Sequence, residues 1–270
     1  MPNLQEVVFS KNVDYRVGSP HLAHAGLNDR LVQLLSQVVR DLKQREMPLT
    51  VLEIGAGHGG YTEPALAFGC SVTATEMSRS SAEALRDRFS TNEHFAVVFD
   101  PDGSLDVVGT QRFSLVLCSS VLHHIPDYLS FIEHSCSRHL AVGGSFLSIQ
   151  DPLWYPDLGR PTRTLSRAAF LSWRVTQGHY KRGILTLSRR VRGVYDDDQP
   201  SDSVEYHVVR QGVNQHAVME YLQGAFEDAR LTRYWSTQAR AWQYAGEIAK
   251  LENTFAVEGR RFRSPTVPAG

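Results

Sequence analysis

The chain has 270 residues, a formal net charge of -1, 42% hydrophobic residues and 21% charged residues. This balance is typical of a globular protein and excludes a disordered chain. It gives no general electrostatic reason to expect nucleic acid as a partner. No apolar stretch approaches the roughly 20 residues that span a bilayer, so we expect no membrane segment. The first residues lack the pattern of a signal peptide, so we expect none.

The three cysteines follow neither metal-ligand nor disulfide spacing. They are Cys70, Cys118 and Cys136. An odd number of cysteines within apparent strands and helices is typical of a reducing compartment, so we predict a cytoplasmic protein.

The first predicted element is a helix from His21 to Leu42, because leucine and valine recur at spacings of three and four. Pro48 follows and stops it. Strand and helix patterns then alternate. Strands are predicted at 49–54, 71–76, 95–99, 113–118 and 145–149, with helices at 62–68, 80–89 and 127–140. This alternation predicts a parallel sheet covered by helices on both faces.

The alternation breaks after Asp151. Helical patterns cover 165–173, 184–191 and 216–226, and two last strands are predicted at 231–235 and 254–258. We therefore expect an insertion between the fifth and sixth strands, followed by a segment that completes the sheet.

A glycine-rich turn joins the first of these strands to a helix, at Val51 to Gly60. Glycines allow close approach of a ligand, and the helix N-terminus offers free N–H groups. The glycines at 55, 57 and 60 also satisfy the dinucleotide fingerprint. Glu53 favours a different ligand, because a carboxylate there suits the ammonium of a methionine moiety better than a pyrophosphate.

Two more carboxylates end the following strands. Glu76 lies 21 positions after Gly55, a spacing that places a carboxylate over ribose hydroxyls. Asp100 follows the third strand, where it could accept a hydrogen bond from an adenine amino group.

The stretch from Leu49 to Pro152 resembles a class I S-adenosylmethionine (SAM)-dependent methyltransferase of the broad type 11 small-molecule group. Glu53-x-Gly55-x-Gly57-x-Gly59, Glu76 and Phe99-Asp100 match the first three motifs. The segment 113–127 matches the fourth, and 140–144 matches the turn before strand five, although Ser114 stands where the family usually has Asp. The resemblance implies a Rossmann-like α/β fold whose mostly parallel seven-stranded sheet has an antiparallel last strand.

The resemblance further implies SAM as the cofactor and a set of binding residues at the carboxyl edge of the sheet. The predicted set is Glu53, Gly55, Ala56, Gly57, Gly59, Glu76, Met77, Asp100, Pro101, Cys118 and Ser119. We expect the chain to divide into four segments. They are an N-terminal helical segment over the cofactor site (1–48), the SAM-binding core (49–152), a helical acceptor lid (153–215) and the completion of the sheet (216–270).

His123 and His124 follow the fourth strand at the edge where ligands bind in open α/β folds. Neutral imidazole accepts protons near pH 7, and a base matters when the methyl acceptor is a hydroxyl. Relatives with a His-His-x-Pro-Asp segment implicate this pair as base, so we predict His123 as base, with His124 as its alternate. Asp151 would orient the imidazole or bind the acceptor. A metal site of His124, Asp127 and Asp151, or a histidine pair that only supports the loop, stays open.

The predicted lid is basic and rich in aromatic residues over its first part. Arginines suit carboxylate or phosphate, so an anionic or carrier-bound acceptor is one interpretation, and a solvated helical face is the other. No RNA-binding module is legible. Further candidates are His207, within Glu205-Tyr206-His207-x-x-Arg210, and the histidines at 21 and 24, which could lie over the cofactor.

The sequence thus predicts methyl transfer from SAM to a small molecule, with a hydroxyl of a sugar or natural-product intermediate as the expected acceptor. N- or C-methylation would look nearly identical. An NAD-dependent oxidoreductase and a non-catalytic SAM-binding protein are the alternatives from other classes. The sequence fixes neither the acceptor nor the oligomeric state.

Overall fold

The computed structural model describes residues 19–176 and 212–263, which form a seven-stranded sheet between two layers of helices. The strand order is β3-β2-β1-β4-β5-β7-β6. The strands are β1 (Thr50–Ile54), β2 (Ser71–Glu76), β3 (Phe95–Phe99), β4 (Phe113–Ser119), β5 (Leu140–Pro152), β6 (Phe226–Tyr234) and β7 (Thr254–Phe262). All neighbours pair in parallel except β7, which runs antiparallel to β5 and β6. The predicted mostly parallel Rossmann-like sheet is confirmed.

Eight α-helices accompany the sheet in the described residues. They are α1 (Pro20–Ala23), α2 (Ala25–Gln44), α3 (Thr62–Ala67), α4 (Arg79–Arg88), α5 (Tyr128–His139), α6 (Arg160–Thr176), α7 (Gln215–Ala225) and α8 (Arg240–Ile248). None of these helices is long and apolar enough to cross a membrane.

Two hydrophobic cores lie on opposite faces of the sheet. Val51 packs in one core with the apolar stripe of α2, and its neighbour Leu52 packs in the other core with α5 and α7. Successive residues of a strand point to opposite faces, so a strand buried on both faces has a continuous apolar sequence. This explains why the central strands lack a polar and apolar alternation.

Four predictions of elements need correction. The predicted helix at 21–42 is two helices, because His24 adopts an extended conformation with φ -123° and separates α1 from α2. The predicted turn at 140–144 lies inside β5, where the pairing with β4 shifts register. Helix α8 was not predicted, because the residues that it buries are Gln243 and Gly246, whereas its apolar Tyr244 and Ile248 are exposed. The strand predicted at 231–235 begins earlier, at Phe226.

The predicted lid at 153–215 is described only in part. Helix α6 is present where a helix was predicted at 165–173, but the helix predicted at 184–191 lies outside the described residues. The start of the insertion is joined to α7, since Gln215 accepts a hydrogen bond from the Trp154 N–H (3.0 Å) and donates one to Asp157 (2.7 Å).

Candidate active site

The loop between β1 and α3 contains three glycines in the left-handed region, with φ values of 65° at Gly55, 58° at Gly57 and 76° at Gly59. L-residues with a side chain rarely adopt this conformation, so the sequence of the loop dictates its shape. A Cβ at Gly59 would lie 2.6 Å from the Phe89 ring, whereas a Cβ at Gly57 would meet nothing within 4 Å. Gly59 therefore serves packing, and Gly57 borders open space.

Glu53 lies near the end of β1 and is buried, with 1% of its surface exposed. The Thr62 hydroxyl, in the first turn of α3, donates a hydrogen bond to Glu53 Oε2 (2.5 Å). Burial raises the pKa of Glu53 to about 8, partly opposed by this hydrogen bond. A carboxyl group of this kind is ready to ionise beside a cation. Thr62 was not among the predicted site residues, although a threonine at the start of the helix that follows the acid was a usable signal.

Glu76 ends β2 and accepts a hydrogen bond from the Gly57 N–H. Burial raises the pKa of Glu76 to about 7, while backbone N–H groups, that of Gly57 foremost, act in the opposite direction. The bond joins the glycine-rich loop to the neighbouring strand, so the loop and the second carboxylate form one unit. Met77 follows directly and lies partly buried beside the loop at Gly103.

Asp100 follows β3 and is 1% exposed. Its Oδ2 accepts the Leu105 N–H (3.1 Å), but Oδ1 is buried without a hydrogen-bond partner in the described part of the chain. Burial raises the pKa of Asp100. Buried polar atoms are normally hydrogen-bonded, so this orphaned oxygen at the end of β3 is a place where a hydrogen-bond donor of a ligand fits.

The remaining predicted cofactor residues differ in accessibility. Pro101 is exposed, Ser119 is partly exposed and Ala56 is nearly buried. Cys118 is fully buried in the core, so its thiol does not reach the edge of the sheet. The predicted cofactor residues thus lie at the carboxyl edge of the sheet. Cys118 differs from the others, because only its backbone lies near that edge.

His123 and Asp151 form a hydrogen-bonded pair where β4 and β5 end. His123 Nδ1 lies 2.8 Å from Asp151 Oδ1, which also accepts the His123 backbone N–H (3.2 Å). The Ser148 hydroxyl donates to the other carboxylate oxygen (2.8 Å). Burial raises the pKa of Asp151 to about 6 and lowers that of His123 to about 4. At neutral pH the pair is therefore a carboxylate facing a neutral imidazole.

His124 stacks on His123, with ring centroids 4.1 Å apart. Burial, with the neighbouring imidazole second, lowers its pKa to about 3. Asp127 is exposed and caps α5, accepting the Ser130 N–H (3.1 Å). No group of three or more metal-ligand side chains occurs among residues 19–176 and 212–263.

The other predicted site residues lie farther along the chain. His24 Nε2 is 2.7 Å from the Thr237 carbonyl oxygen, so the start of α2 is attached to the segment after β6. The cluster of Glu205, His207 and Arg210 lies outside the described residues, and for His21 only the backbone is described.

The strand order and the helices on both faces of the sheet match the Rossmann-like α/β fold of methyltransferases. Residues 52–146 match the family model described as "Methyltransferase domain". The predicted resemblance to a methyltransferase is therefore confirmed over this segment of the chain.

Three relatives illustrate the similarity. The polyketide synthase component of lovastatin nonaketide synthase from Aspergillus terreus is 32% identical over 127 residues, covering 42% of this chain and 4% of that protein. The CMeT domain of the citrinin polyketide synthase has a TM-score of 0.54 at 15% identity, covering 98% of this chain and 60% of that one. The N-methyltransferase NodS from Bradyrhizobium japonicum, solved with S-adenosylhomocysteine, has a TM-score of 0.52 at 14% identity, with 96% of each chain covered.

The two structures show the likeness of fold alone. The chain spans less than half the length of the curated relatives it matches.

Proposed function

We propose that this protein transfers the methyl group of SAM to a hydroxyl of a small-molecule acceptor, with His123 as general base. The observation that supports this proposal is the hydrogen bond between His123 Nδ1 and Asp151 Oδ1 at the carboxyl edge of the sheet (2.8 Å). Ligands of open α/β folds bind at this edge.

The cofactor-binding role is assigned to the predicted edge residues. Glu53 would face the ammonium group, Glu76 the ribose hydroxyls and Asp100 the adenine amino group. The open space over Gly57 and the orphaned oxygen of Asp100 support this assignment. When bound, the sulfonium supplies an already activated methyl group.

The state of the Asp151 carboxyl selects the histidine tautomer. An ionised carboxylate accepts hydrogen bonds only, so His123 Nδ1 must hold the proton and Nε2 keeps its lone pair. That nitrogen can remove the proton of an acceptor hydroxyl. A protonated Asp151 would instead donate to Nδ1, which leaves the hydrogen on Nε2 and removes the base.

A second candidate is methylation at carbon. A carbon between two carbonyl groups, of the kind that polyketide chains carry, also needs a base to lose its proton. The chain is 32% identical over 127 residues to a polyketide synthase component, which supports an acceptor of this kind. An anionic or carrier-bound acceptor fits either candidate. An amine acceptor must also lose its ammonium proton before it attacks, so N-methylation is separated from the hydroxyl candidate by the acceptor assay and not by the His123–Asp151 pair.

The test combines SAM binding with turnover. Purified protein is titrated calorimetrically with SAM, S-adenosylhomocysteine and NAD, and S-adenosylhomocysteine production is then measured with hydroxyl, β-keto thioester and amine acceptors. We expect binding of the adenosyl ligands alone, and turnover with the hydroxyl class. Preferred turnover of the thioesters would support the carbon candidate, and binding without any turnover would support a non-catalytic protein.

His123→Gln should lower kcat at least about 100-fold, because a positioned base contributes 10² to 10⁴ in rate. SAM affinity should change little. His94→Gln is the matched control, since the His94 ring is 64% exposed. An unchanged kcat for His123→Gln would remove this residue as the base.

The pH profile gives an independent check of the pair. Activity should fall as the pH drops through about 6, because protonation of Asp151 removes the base form of His123. Asp151→Asn should lower kcat across the whole range and abolish this acidic limb. An acidic limb that persists unchanged in Asp151→Asn would exclude Asp151 as its origin.

A further inference from the structure

A β-bulge interrupts β5 next to the proposed base. Ile149 pairs with Ala256 of β7, and Asp151 pairs with the next residue, Phe255, so Gln150 is an extra residue without an opposite partner. Gln150 has φ +69°, a left-handed conformation that is uncommon outside glycine, and it is buried. Bulges beside active sites commonly re-aim a side chain.

The bulge changes which face Asp151 occupies. In a regular strand, residues three apart point to opposite faces, so Ser148 and Asp151 would not meet. One extra residue shifts the alternation, and the Ser148 hydroxyl lies 2.8 Å from Asp151 Oδ2. The same shift brings Asp151 Oδ1 to His123 Nδ1. Without the bulge the carboxylate would lie on the other face of the sheet.

Tyr234, the last residue of β6, stabilises the bulge. Its hydroxyl accepts the Gln150 backbone N–H (2.8 Å), which has no partner in the ladder. The same hydroxyl lies within donating distance of Gln150 Oε1 (3.2 Å) and the Phe255 carbonyl oxygen (3.3 Å). Gln150 Nε2 in turn donates to the Ser236 hydroxyl (2.5 Å).

We propose that Tyr234 and Gln150 are positioning residues that set the bulge, and through it the direction of Asp151 and the tautomer of His123. The inference rests on the proposed function for its effect on turnover, whereas its effect on the imidazole can be measured without any acceptor.

The direct readout is ¹⁵N NMR of the His123 imidazole in the 270-residue chain, assigned with His123→Gln. Imidazole nitrogen shifts report the tautomer. We expect wild-type His123 to hold its proton on Nδ1 at pH 8. In Tyr234→Phe the Gln150 N–H loses its partner, so Asp151 moves and the Nδ1–H form should fall markedly in population.

Tyr128→Phe is the matched control. The Tyr128 hydroxyl also accepts a backbone N–H, that of Asn214 (3.1 Å), but it makes no contact with the bulge. We expect a larger loss of thermal stability from Tyr234→Phe, whose buried hydroxyl has three partners, than from Tyr128→Phe, and a changed His123 spectrum only in Tyr234→Phe. A purely structural role of Tyr234 would leave the His123 tautomer unchanged.

Gln150 offers a second pair of variants that does not depend on Tyr234. Gln150→Gly adopts positive φ without strain and should retain the wild-type tautomer. Gln150→Val disfavours that conformation and should lose it. For Tyr234→Phe and Gln150→Val, kcat should fall at least about tenfold with the Kd for SAM within about twofold, as expected when a catalytic group is misplaced.

The outcomes separate the two proposals. Wild-type ¹⁵N shifts in both Tyr234→Phe and Gln150→Val would overturn the positioning role. If Tyr234→Phe does not fold, the contrast between the glycine and valine variants at 150 decides. Altered shifts together with an unchanged kcat in His123→Gln would retain the positioning role and reject His123 as base.

Discussion

At the scale of single residues, the site is dominated by carboxyl groups whose ionisation is disfavoured by burial. Glu53, Glu76 and Asp151 have raised pKa values of about 8, 7 and 6. Each lies at the carboxyl end of its strand, where a polar ligand can replace the lost water. Such groups respond strongly to a cation, because its field favours the charged form.

Glu53→Gln is expected to weaken SAM binding about 10- to 100-fold, since a hydrogen bond to a charged group contributes roughly 1.5–3 kcal/mol. The amide oxygen of glutamine can still accept the Thr62 hydroxyl, so the variant isolates the charge. Calorimetric titration measures the affinity. Glu93→Gln, at a side chain that is 90% exposed, is the control. Wild-type affinity in Glu53→Gln would refute the ammonium contact.

SAM binding at pH 7 should release protons. Because the pKa of Glu53 is raised to about 8, its carboxyl is mostly protonated at this pH and must ionise to pair with an ammonium group. Titrations in phosphate and Tris, whose ionisation enthalpies differ, measure the number of protons released. The release should disappear in Glu53→Gln. Equal heats in the two buffers for the wild type would contradict the prediction.

At the scale of elements, the glycine-rich loop combines two tasks in neighbouring positions. Gly59 lies against Phe89 and Leu85 of the α4 region, and Gly57 faces open space. Both have positive φ. Packing at Gly59 therefore determines the shape of the loop, whereas Gly57 leaves space for a ligand.

Alanine substitutions should separate these tasks. Gly57→Ala should cost about 1–2 kcal/mol of unfolding free energy from the left-handed backbone, while SAM affinity falls far more than stability. Gly59→Ala should cost more than Gly57→Ala, because its Cβ also clashes with Phe89. Urea denaturation and calorimetric titration measure the two effects. If the loss of SAM affinity is in the same proportion to the loss of unfolding free energy in both variants, the two glycines do not have separate tasks.

At the scale of the whole molecule, the buried ionisable groups couple stability to pH. A raised folded pKa means that the folded protein holds a proton that the unfolded chain has lost, so stability falls as the pH rises through the folded pKa. Glu53 and Glu76 lose this contribution progressively between pH 4.5, the ordinary pKa of glutamate, and their folded pKa values of about 8 and 7. His123 and His124 have lowered pKa values, so their contribution is complete above about pH 6.5 and is lost toward pH 4.

We therefore expect the ligand-free protein to lose thermal stability between pH 7 and 8.5. The fall should be smaller in Glu53→Gln, which cannot ionise at this position. Saturating SAM should oppose the fall, because it binds the folded state and pairs with the ionised carboxylate. Thermal denaturation by circular dichroism measures Tm at each pH. A flat Tm profile for the ligand-free wild type would contradict the raised pKa values.

Much of the fold was predictable because its signals are local. The apolar, β-branched run of β1 followed by glycines reads directly as a strand entering a turn, and the alternation of strands and helices up to Asp151 defines a parallel sheet. The resemblance to methyltransferases implied seven strands with the last one, β7, antiparallel, and the structure confirms both. Helix α8 was not predicted, since it buries a glutamine and a glycine and exposes two of its apolar side chains. The break at His24 was not predicted either, since it depends on a contact with the distant Thr237.

By itself, the sequence determined the class of fold, the glycine-rich loop and the acidic residues that end successive strands, because hydrophobic period and glycine conformation act over a few residues. The orphaned oxygen of Asp100, the Thr62 bond to Glu53 and the His123–Asp151 pair were decided by tertiary structure. The bulge at Gln150 is the clearest case. The face on which Asp151 lies depends on how β5 pairs with β7 and on a tyrosine 84 residues away, and no local pattern records such a pairing.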